Sequence, residues 1–116
     1  MEARLATDEQ MRIARTEALF RDVNERIAES AGRFEAEDAT FVCECADRDC
    51  TERVDAPLAE YEQVRAKPTH FLLAHGHEDA QVERVVARRP GFAVVEKVGD
   101  VVATIVRRLD PRAQPA

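Results

Sequence analysis

The stretch Phe41-Val-Cys-Glu-Cys-Ala-Asp-Arg-Asp-Cys50 holds all three cysteines of a chain of 116 residues. Its β-branched and aromatic start predicts a strand over residues 40–45, and the polar residues that follow predict a tight loop over residues 46–49. A returning strand is predicted over residues 50–54. In this prediction the stretch is a β-hairpin with cysteines on both sides of its loop.

The spacing of the cysteines predicts a metal site. Alternate side chains of a strand point to the same face, so Cys43 and Cys45 would present both sulfurs together. The loop would bring Cys50 opposite Cys45 across the hairpin. Clustered cysteines in a reducing compartment bind metal more often than they form disulfides. Three thiolates would supply three of the four ligands of a tetrahedral zinc ion.

A fourth ligand has to come from elsewhere, and histidine is the other residue type that suits zinc beside cysteine. Among three histidines, His77 is the predicted ligand, because Gly76 lets the backbone turn and a buried strand precedes the loop. His75 is the substitute, and His70 is the weakest candidate. The predicted zinc ligands are therefore Cys43, Cys45, Cys50 and His77. Four protein ligands close a zinc site, which makes its role structural.

Other states of the cysteines stay open from the sequence. The thiols could be free, or Cys45 and Cys50 could form a disulfide that leaves Cys43 over. A catalytic zinc would need three ligands, a water and a carboxylate that moves protons. Glu44 points away from the sulfurs in the predicted strand, and the residues after Glu78 lack the second histidine of a His-Glu-x-x-His motif. These mismatches disfavour an enzyme.

The composition indicates one folded domain over residues 1–116, because a chain of 13.0 kDa with 45% hydrophobic residues can bury a single core. A formal net charge of −6 offers no basic face to phosphate backbones, which disfavours direct nucleic-acid binding. No apolar run reaches the roughly 20 residues of a membrane span, and no signal-peptide core is present. We therefore expect a cytoplasmic protein that does not bind membranes.

A long N-terminal helix is predicted to begin at Thr7, which can cap free N–H groups while the acidic residues after it face the positive helix end. Its apolar residues recur at steps of three and four and form one stripe. The stripe consists of Ile13, Thr16, Phe20, Val23, Ile27, Ser30 or Ala31, and Phe34. We expect this stripe to pack on the chain's own domain; a homodimer through the helix, or a partner protein bound to it, is the alternative.

The second half of the chain predicts short alternating elements. Pro57 opens a helix over residues 58–65, and a buried strand follows over residues 70–74. The turn signal Arg89-Pro90-Gly91 predicts a hairpin of the valine-rich segments on either side of it. A helix over residues 79–88 is the competing interpretation of the first segment. A closing helix is predicted over residues 101–109.

Residues 1–6 and 110–116 are predicted to be disordered. The order of the elements implies an α+β fold with a long N-terminal helix, a small and mainly antiparallel sheet, and two further helices. In this interpretation the sheet is built from two hairpins and a short strand, and zinc holds the hairpin to the loop after it.

Several motifs resemble an uncharacterised family of short proteins that is common in high-GC Gram-positive bacteria. The motifs are Val23-Asn-Glu-Arg-Ile27, Phe41-Val-Cys-Glu-Cys45 with Cys50, Glu60-Tyr-Glu-Gln-Val-Arg65, Gly76-His-Glu78, Glu83-Arg-Val-Val86 and Val94-Val-Glu-Lys97. The resemblance spans residues 15–98. A proline usually precedes Gly-His-Glu in that family, and His75 occupies its place here, which supports His77 as the ligand. The resemblance implies no activity.

The sequence thus predicts a small zinc-binding protein that acts as a protein-interaction or regulatory module and has a protein partner. A redox sensor, in which oxidation of the cysteines ejects zinc, is the alternative function. A small zinc-dependent enzyme is the third.

Overall fold

The computed structural model of the protein describes residues 7–113, which form a long helix packed against two small antiparallel sheets and two shorter helices. The elements in chain order are α1 (Thr7–Arg33), β1 (Asp38–Val42), β2 (Arg53–Pro57), α2 (Leu58–Arg65), β3 (His70–Leu73), β4 (Glu83–Arg89), β5 (Phe92–Lys97), α3 (Asp100–Arg108) and a 3-10 turn (Pro111–Ala113). This architecture confirms the predicted α+β fold with its long N-terminal helix and two further helices, but the strands form two sheets rather than the single sheet predicted. None of the helices in this part of the chain is long and apolar enough to cross a membrane.

The strands divide into two sheets. β1 and β2 form an antiparallel hairpin, and the other strands pair in the order β3-β5-β4, so β5 lies in the middle and is largely buried. Pro90-Gly91 joins β4 to β5 as predicted, and the competing helix over residues 79–88 is wrong because β4 is a strand. The register of this pair shifts between Val85 and Ala87, which marks a β-bulge in β4.

The core joins the hairpin to α2 and to the larger sheet. The rings of Phe41 in β1 and Tyr61 in α2 stack with their centroids 4.4 Å apart. α2 has the predicted bounds, because Pro57 suits the position before a first helical turn and Pro68 cannot continue the helix. Further buried apolar residues of the sheet and of α3 are Phe71, Leu72, Leu73, Val95, Val102 and Val106.

α1 buries a face that its apolar pattern did not predict. The buried residues are Ile13, Ala14, Glu17, Ala18, Arg21, Asn24 and Ala28. Of the predicted stripe, only Ile13 belongs to this set, and Val23 and Phe34 are exposed. The expectation that the stripe packs on the domain is therefore wrong for Val23 and Phe34, whereas Ile27 is half-buried against the core. Buried polar residues are tolerated here because each has a partner in the interior.

The end of the described chain is held by ion pairs. Asp110 is buried and accepts a hydrogen bond from Arg65, and Arg112 donates to Glu25 at 2.7 Å and to Glu62 at 2.6 Å. The prediction of disorder from residue 110 onward is therefore wrong for residues 110–113. Residues 1–6 and 114–116, which were also predicted to be disordered, lie outside the described residues.

Candidate metal centre

Cys43, Cys45, Cys50 and His77 bring one sulfur or nitrogen atom each to within 4.8 Å of one another. His77 Nδ1 lies 3.6 Å from Cys43 Sγ and 3.6 Å from Cys50 Sγ. Zinc bonds of about 2.3 Å to sulfur and about 2.0 Å to nitrogen, at a tetrahedral angle, separate the two ligand atoms by roughly 3.5 Å. The cluster therefore has the dimensions of a tetrahedral metal site. The three cysteines are free thiols, so the disulfide between Cys45 and Cys50 is absent.

The cysteines do not lie on the strands of the hairpin, which corrects the predicted geometry. β1 ends before the first cysteine and β2 begins after the last one. The N–H of Cys43 still donates to Glu52 O across the hairpin, at 3.2 Å, but the N–H of Glu44 donates to Leu72 O of β3, at 2.9 Å. The chain thus joins the other sheet directly after the first cysteine. Residues 43–50 are called the metal loop below.

His77 lies in the loop that follows β3, residues 74–82, which is called the histidine loop below. Gly76 has a φ of 82°, a conformation that glycine adopts without steric cost. The N–H of His77 then donates to Ala74 O at 3.2 Å. This turn directs the imidazole toward the metal loop.

The other two histidines lie apart from the cluster. His75 Nε2 is 2.7 Å from Arg89 O, so its ring bonds to the end of β4. His70 Nε2 is 3.1 Å from Glu96 Oε2 on the neighbouring strand β5. The geometry thus favours His77 over both substitutes as the histidine of the site.

The metal loop stabilises a thiolate. A hydrogen bond from Cys43 lowers the pKa of Cys45 to about 5. The same bond, together with burial, raises the pKa of Cys43, and burial raises that of Cys50. The N–H of Ala74 donates to Cys43 Sγ at 3.2 Å. Such a donor partly offsets the charge of a metal-bound thiolate, as is usual for groups behind metal ligands.

A buried amide and a buried carboxylate hold the metal loop against α1 and β3. Asn24 Nδ2 donates to Val42 O at 2.8 Å and to Glu44 Oε2 at 2.7 Å, and Asn24 Oδ1 accepts from the N–H of Val42 at 2.8 Å. Glu44 Oε1 accepts from the N–H of Leu72 at 2.9 Å. Burial raises the pKa of Glu44, and the charge of Arg21 opposes this rise. Asn24 and Glu44 are called the amide cluster below.

A second buried cluster connects α1 to the histidine loop. Lys97 of β5 donates hydrogen bonds to the carboxylates of Glu17 in α1 and Glu83 in β4, and none of the three side chains is exposed. Glu83 Oε2 also accepts from the N–H of Asp79, at 2.9 Å. Burial raises the pKa of Glu17, and the charge of Lys97 opposes this rise. Glu17, Glu83 and Lys97 are called the ionic cluster below.

The arrangement suits metal binding better than proton transfer. Both oxygens of the Glu44 carboxylate are bonded to the interior, so this group faces away from the thiols, as its place between two cysteines predicted. The imidazole of His77 takes the position that an open catalytic metal would leave to water. The four side chains can therefore hold a metal ion in a closed site.

No family model, curated protein or solved structure matches the chain. The similarity to a family of short bacterial proteins stays a prediction. The function is therefore inferred from the site itself.

The sequence did not predict the buried residues that hold the ligand-bearing loops in place. Its patterns gave no role to Asn24, Glu17 or Lys97. Asn24 and Glu44 are 20 positions apart, and Glu17 and Lys97 are 80 apart. The one local signal is that polar residues interrupt alanines on a single face of α1, at the spacing of a helix.

Proposed function

We propose that the chain is a small cytoplasmic zinc-binding protein whose metal joins the metal loop to the histidine loop and stabilises a protein-interaction module. The convergence of three thiols and one imidazole within 4.8 Å supports this proposal. Thiolate and imidazole ligands in tetrahedral geometry suit zinc, whereas magnesium and calcium prefer oxygen. A closed set of ligands gives the metal a structural role.

Metal analysis of the reduced protein, purified without added zinc, tests the proposal. We expect one equivalent of zinc in the wild-type protein and a large loss in His77→Ala. His75→Ala is the matched control and should keep its metal, because this side chain bonds to Arg89 O instead. Reduced wild-type protein without metal would contradict the proposed function, and loss of metal from His75→Ala alone would contradict the choice of ligand.

The partner is proposed to bind the outward side of α1. Leu19 is 63% exposed and Val23 is exposed beside it. Arg15, one turn before Leu19, and Arg26, one turn after Val23, are exposed, and Asp22 adds one acidic group on the same side, on a chain whose formal net charge is −6. An apolar spot within basic residues is complementary to a protein segment that carries apolar and acidic side chains. Two copies of α1 packed through this spot would bring arginines together, which disfavours the homodimer.

A photo-crosslinking residue at position 19, introduced in the native host, tests this surface. We expect a crosslink to a segment rich in Asp and Glu, and none from the exposed position of Val86 in β4. A crosslink between two copies of the chain, or a dimer by light scattering that Leu19→Glu dissociates, would show that the surface pairs with itself.

A redox sensor is the second candidate, because Cys50 and His77 are only half-buried and the site borders a surface cavity lined by Cys45 and the histidine loop. Oxidation of a metal-bound thiolate removes a ligand and releases the ion. Micromolar peroxide should release zinc from a sensor and leave it bound in a structural site. A single titration of the zinc-bound protein with peroxide therefore distinguishes the two functions.

A further inference from the structure

Glu44 occupies the place of a strand partner on the free edge of β3. Its N–H donates to Leu72 O, and its carboxylate accepts from the N–H of the same residue, both at 2.9 Å. A neighbouring strand would satisfy these two groups of Leu72 in the same way. The side chain is fully buried, so no solvent competes for these bonds. The chain between Cys43 and Cys45 is therefore fixed to β3 at its middle residue.

Asn24 fixes the residue on the other side of Cys43. Its amide bonds to both backbone groups of Val42, so its oxygen and nitrogen cannot exchange places without the loss of both bonds. The remaining N–H of this amide points at Glu44. Cys43 thus stands between two anchored residues, and its own sulfur accepts from Ala74 N.

None of these bonds involves a metal ion. On the basis of the proposed metal-binding function, we infer that Glu44 and Asn24 are positioning residues, which assemble Cys43 and Cys45 into binding geometry before the metal arrives. The ion then completes a preformed half-site with Cys50 and His77. Classical zinc fingers, in contrast, fold only when the metal binds.

The variant Glu44→Gln tests this inference. The new amide keeps an acceptor for Leu72 but turns an NH2 group toward the fixed NH2 of Asn24, so two donors face each other. We expect the affinity for zinc, measured by competition with a chelator, to fall by about 10-fold, as is typical for groups behind metal ligands. The spectrum of the cobalt-substituted protein should also change, because the sulfur positions shift. In the metal-free variant, the amide hydrogen of Leu72 should exchange faster.

Glu44→Gln combined with Asn24→Asp is the rescue. The carboxylate that this second substitution introduces can accept from the new amide and from Val42 N but can no longer donate to Val42 O, so we expect the zinc affinity to recover only in part. Glu25→Gln is the matched control. It removes a carboxylate that pairs with Arg65 and Arg112 rather than with the metal loop, and should lower stability without a change in zinc affinity.

The zinc affinity separates a positioning role from a merely structural one. A group that only stabilises the fold acts equally on the metal-free and metal-bound protein, so its loss leaves the affinity unchanged while the protein stays folded. Equal affinities of wild type and Glu44→Gln would overturn the inference and leave the metal-binding function intact. A wild-type protein that binds no zinc would instead overturn the proposed function.

Discussion

Besides Arg21, which donates to Pro68 O and His70 O, two buried polar clusters attach α1 to the rest of the protein, and they work in different ways. The ionic cluster joins side chain to side chain, with Lys97 between two carboxylates and above the ring of Phe71, 4.6 Å from its centroid. The amide cluster joins side chains to the backbone, so it fixes the backbone position at the start of the metal loop. From this comparison we expect the ionic cluster to act mainly on stability, and the amide cluster, which also buries the Glu44 carboxylate, to act on the candidate metal site.

The largest effect is expected from Lys97→Met, which leaves Glu17 and Glu83 in the interior without a counter-charge. We expect the free energy of unfolding in urea to fall by about 3 to 5 kcal/mol at pH 7, as for other buried ion pairs that lose one partner. The penalty should shrink as the pH is lowered, because the Glu17 carboxyl, whose pKa burial already raises, takes up a proton.

The triple variant Lys97→Met, Glu17→Gln and Glu83→Gln is the control for this prediction. It removes the unpaired charges and should regain a large part of the lost stability. A loss below about 1 kcal/mol in the single variant, the size expected of an exposed pair, would show that the cluster is hydrated. The comparison between the two clusters would then fail.

Removal of the metal is expected to have the next largest effect. If free zinc was held about 100- to 1,000-fold above its Kd, a chelator should lower the free energy of unfolding by about 3 to 4 kcal/mol. The helical circular dichroism signal should nevertheless remain at 25 °C, because both clusters hold α1 without the ligands, although Cys43 and Cys45 line the apolar core. His77→Ala should not respond to the chelator. Collapse of the helical signal on chelation would instead give the metal the role assigned to the amide cluster.

Asn24→Ala should cost less than either change. It removes the bonds to Val42 and leaves one oxygen of Glu44 without its donor, which corresponds to a loss of about 2 to 3 kcal/mol in urea unfolding. Unlike Lys97→Met, this variant should also bind zinc more weakly. Equal zinc affinities of the two variants would erase the distinction between the clusters.

The smallest effect is expected from Arg112→Ala, because its side chain is partly exposed. Burial opposes ionisation of Glu25, but hydrogen bonds from Arg112 and Arg65 outweigh it and lower its pKa below the usual 4.5. The folded-state pKa is thus below the unfolded value, so the contribution is present above pH 4.5 and is lost as the pH falls through the lower pKa. We expect Arg112→Ala to lower the free energy of unfolding by about 1 kcal/mol at pH 7, and we expect this loss to shrink as the pH falls, measured by thermal unfolding.

The helices and turns whose ends are set by nearby proline or glycine residues could be predicted from the sequence. α2 begins after Pro57 and ends before Lys67-Pro68. Proline is tolerated at the start of a helix, where its missing N–H would have no partner, but it cannot continue a helix. The turn Pro90-Gly91 fixed the second hairpin in the same way. The candidate metal ligands could also be predicted from the sequence, because thiol and imidazole groups are recognised as zinc ligands by residue type.

The parts that failed depend on distant partners. Apolar periodicity placed the stripe of α1 on the inside, but Glu17, Arg21 and Asn24 are buried because other segments supply their counter-charges and hydrogen bonds. The cysteines were predicted on a strand, since nothing near Cys43 in the sequence indicates that its neighbour bonds to β3. The ordered structure of residues 110–113 likewise depends on hydrogen bonds to Arg65 and Glu25.

The hydrogen bonds of Glu44 to β3 also bear on whether the edge of the sheet can pair with another chain. Within residues 7–113, the larger sheet has two outer strands, and an exposed strand edge is where polypeptides aggregate. On β3, the backbone groups of Leu72 are already taken. On β4, a bulge and the charges of Arg84 and Arg88 disfavour stacking of a further strand. The side chain that we propose to position the metal loop therefore also occupies the edge at which a further strand would pair.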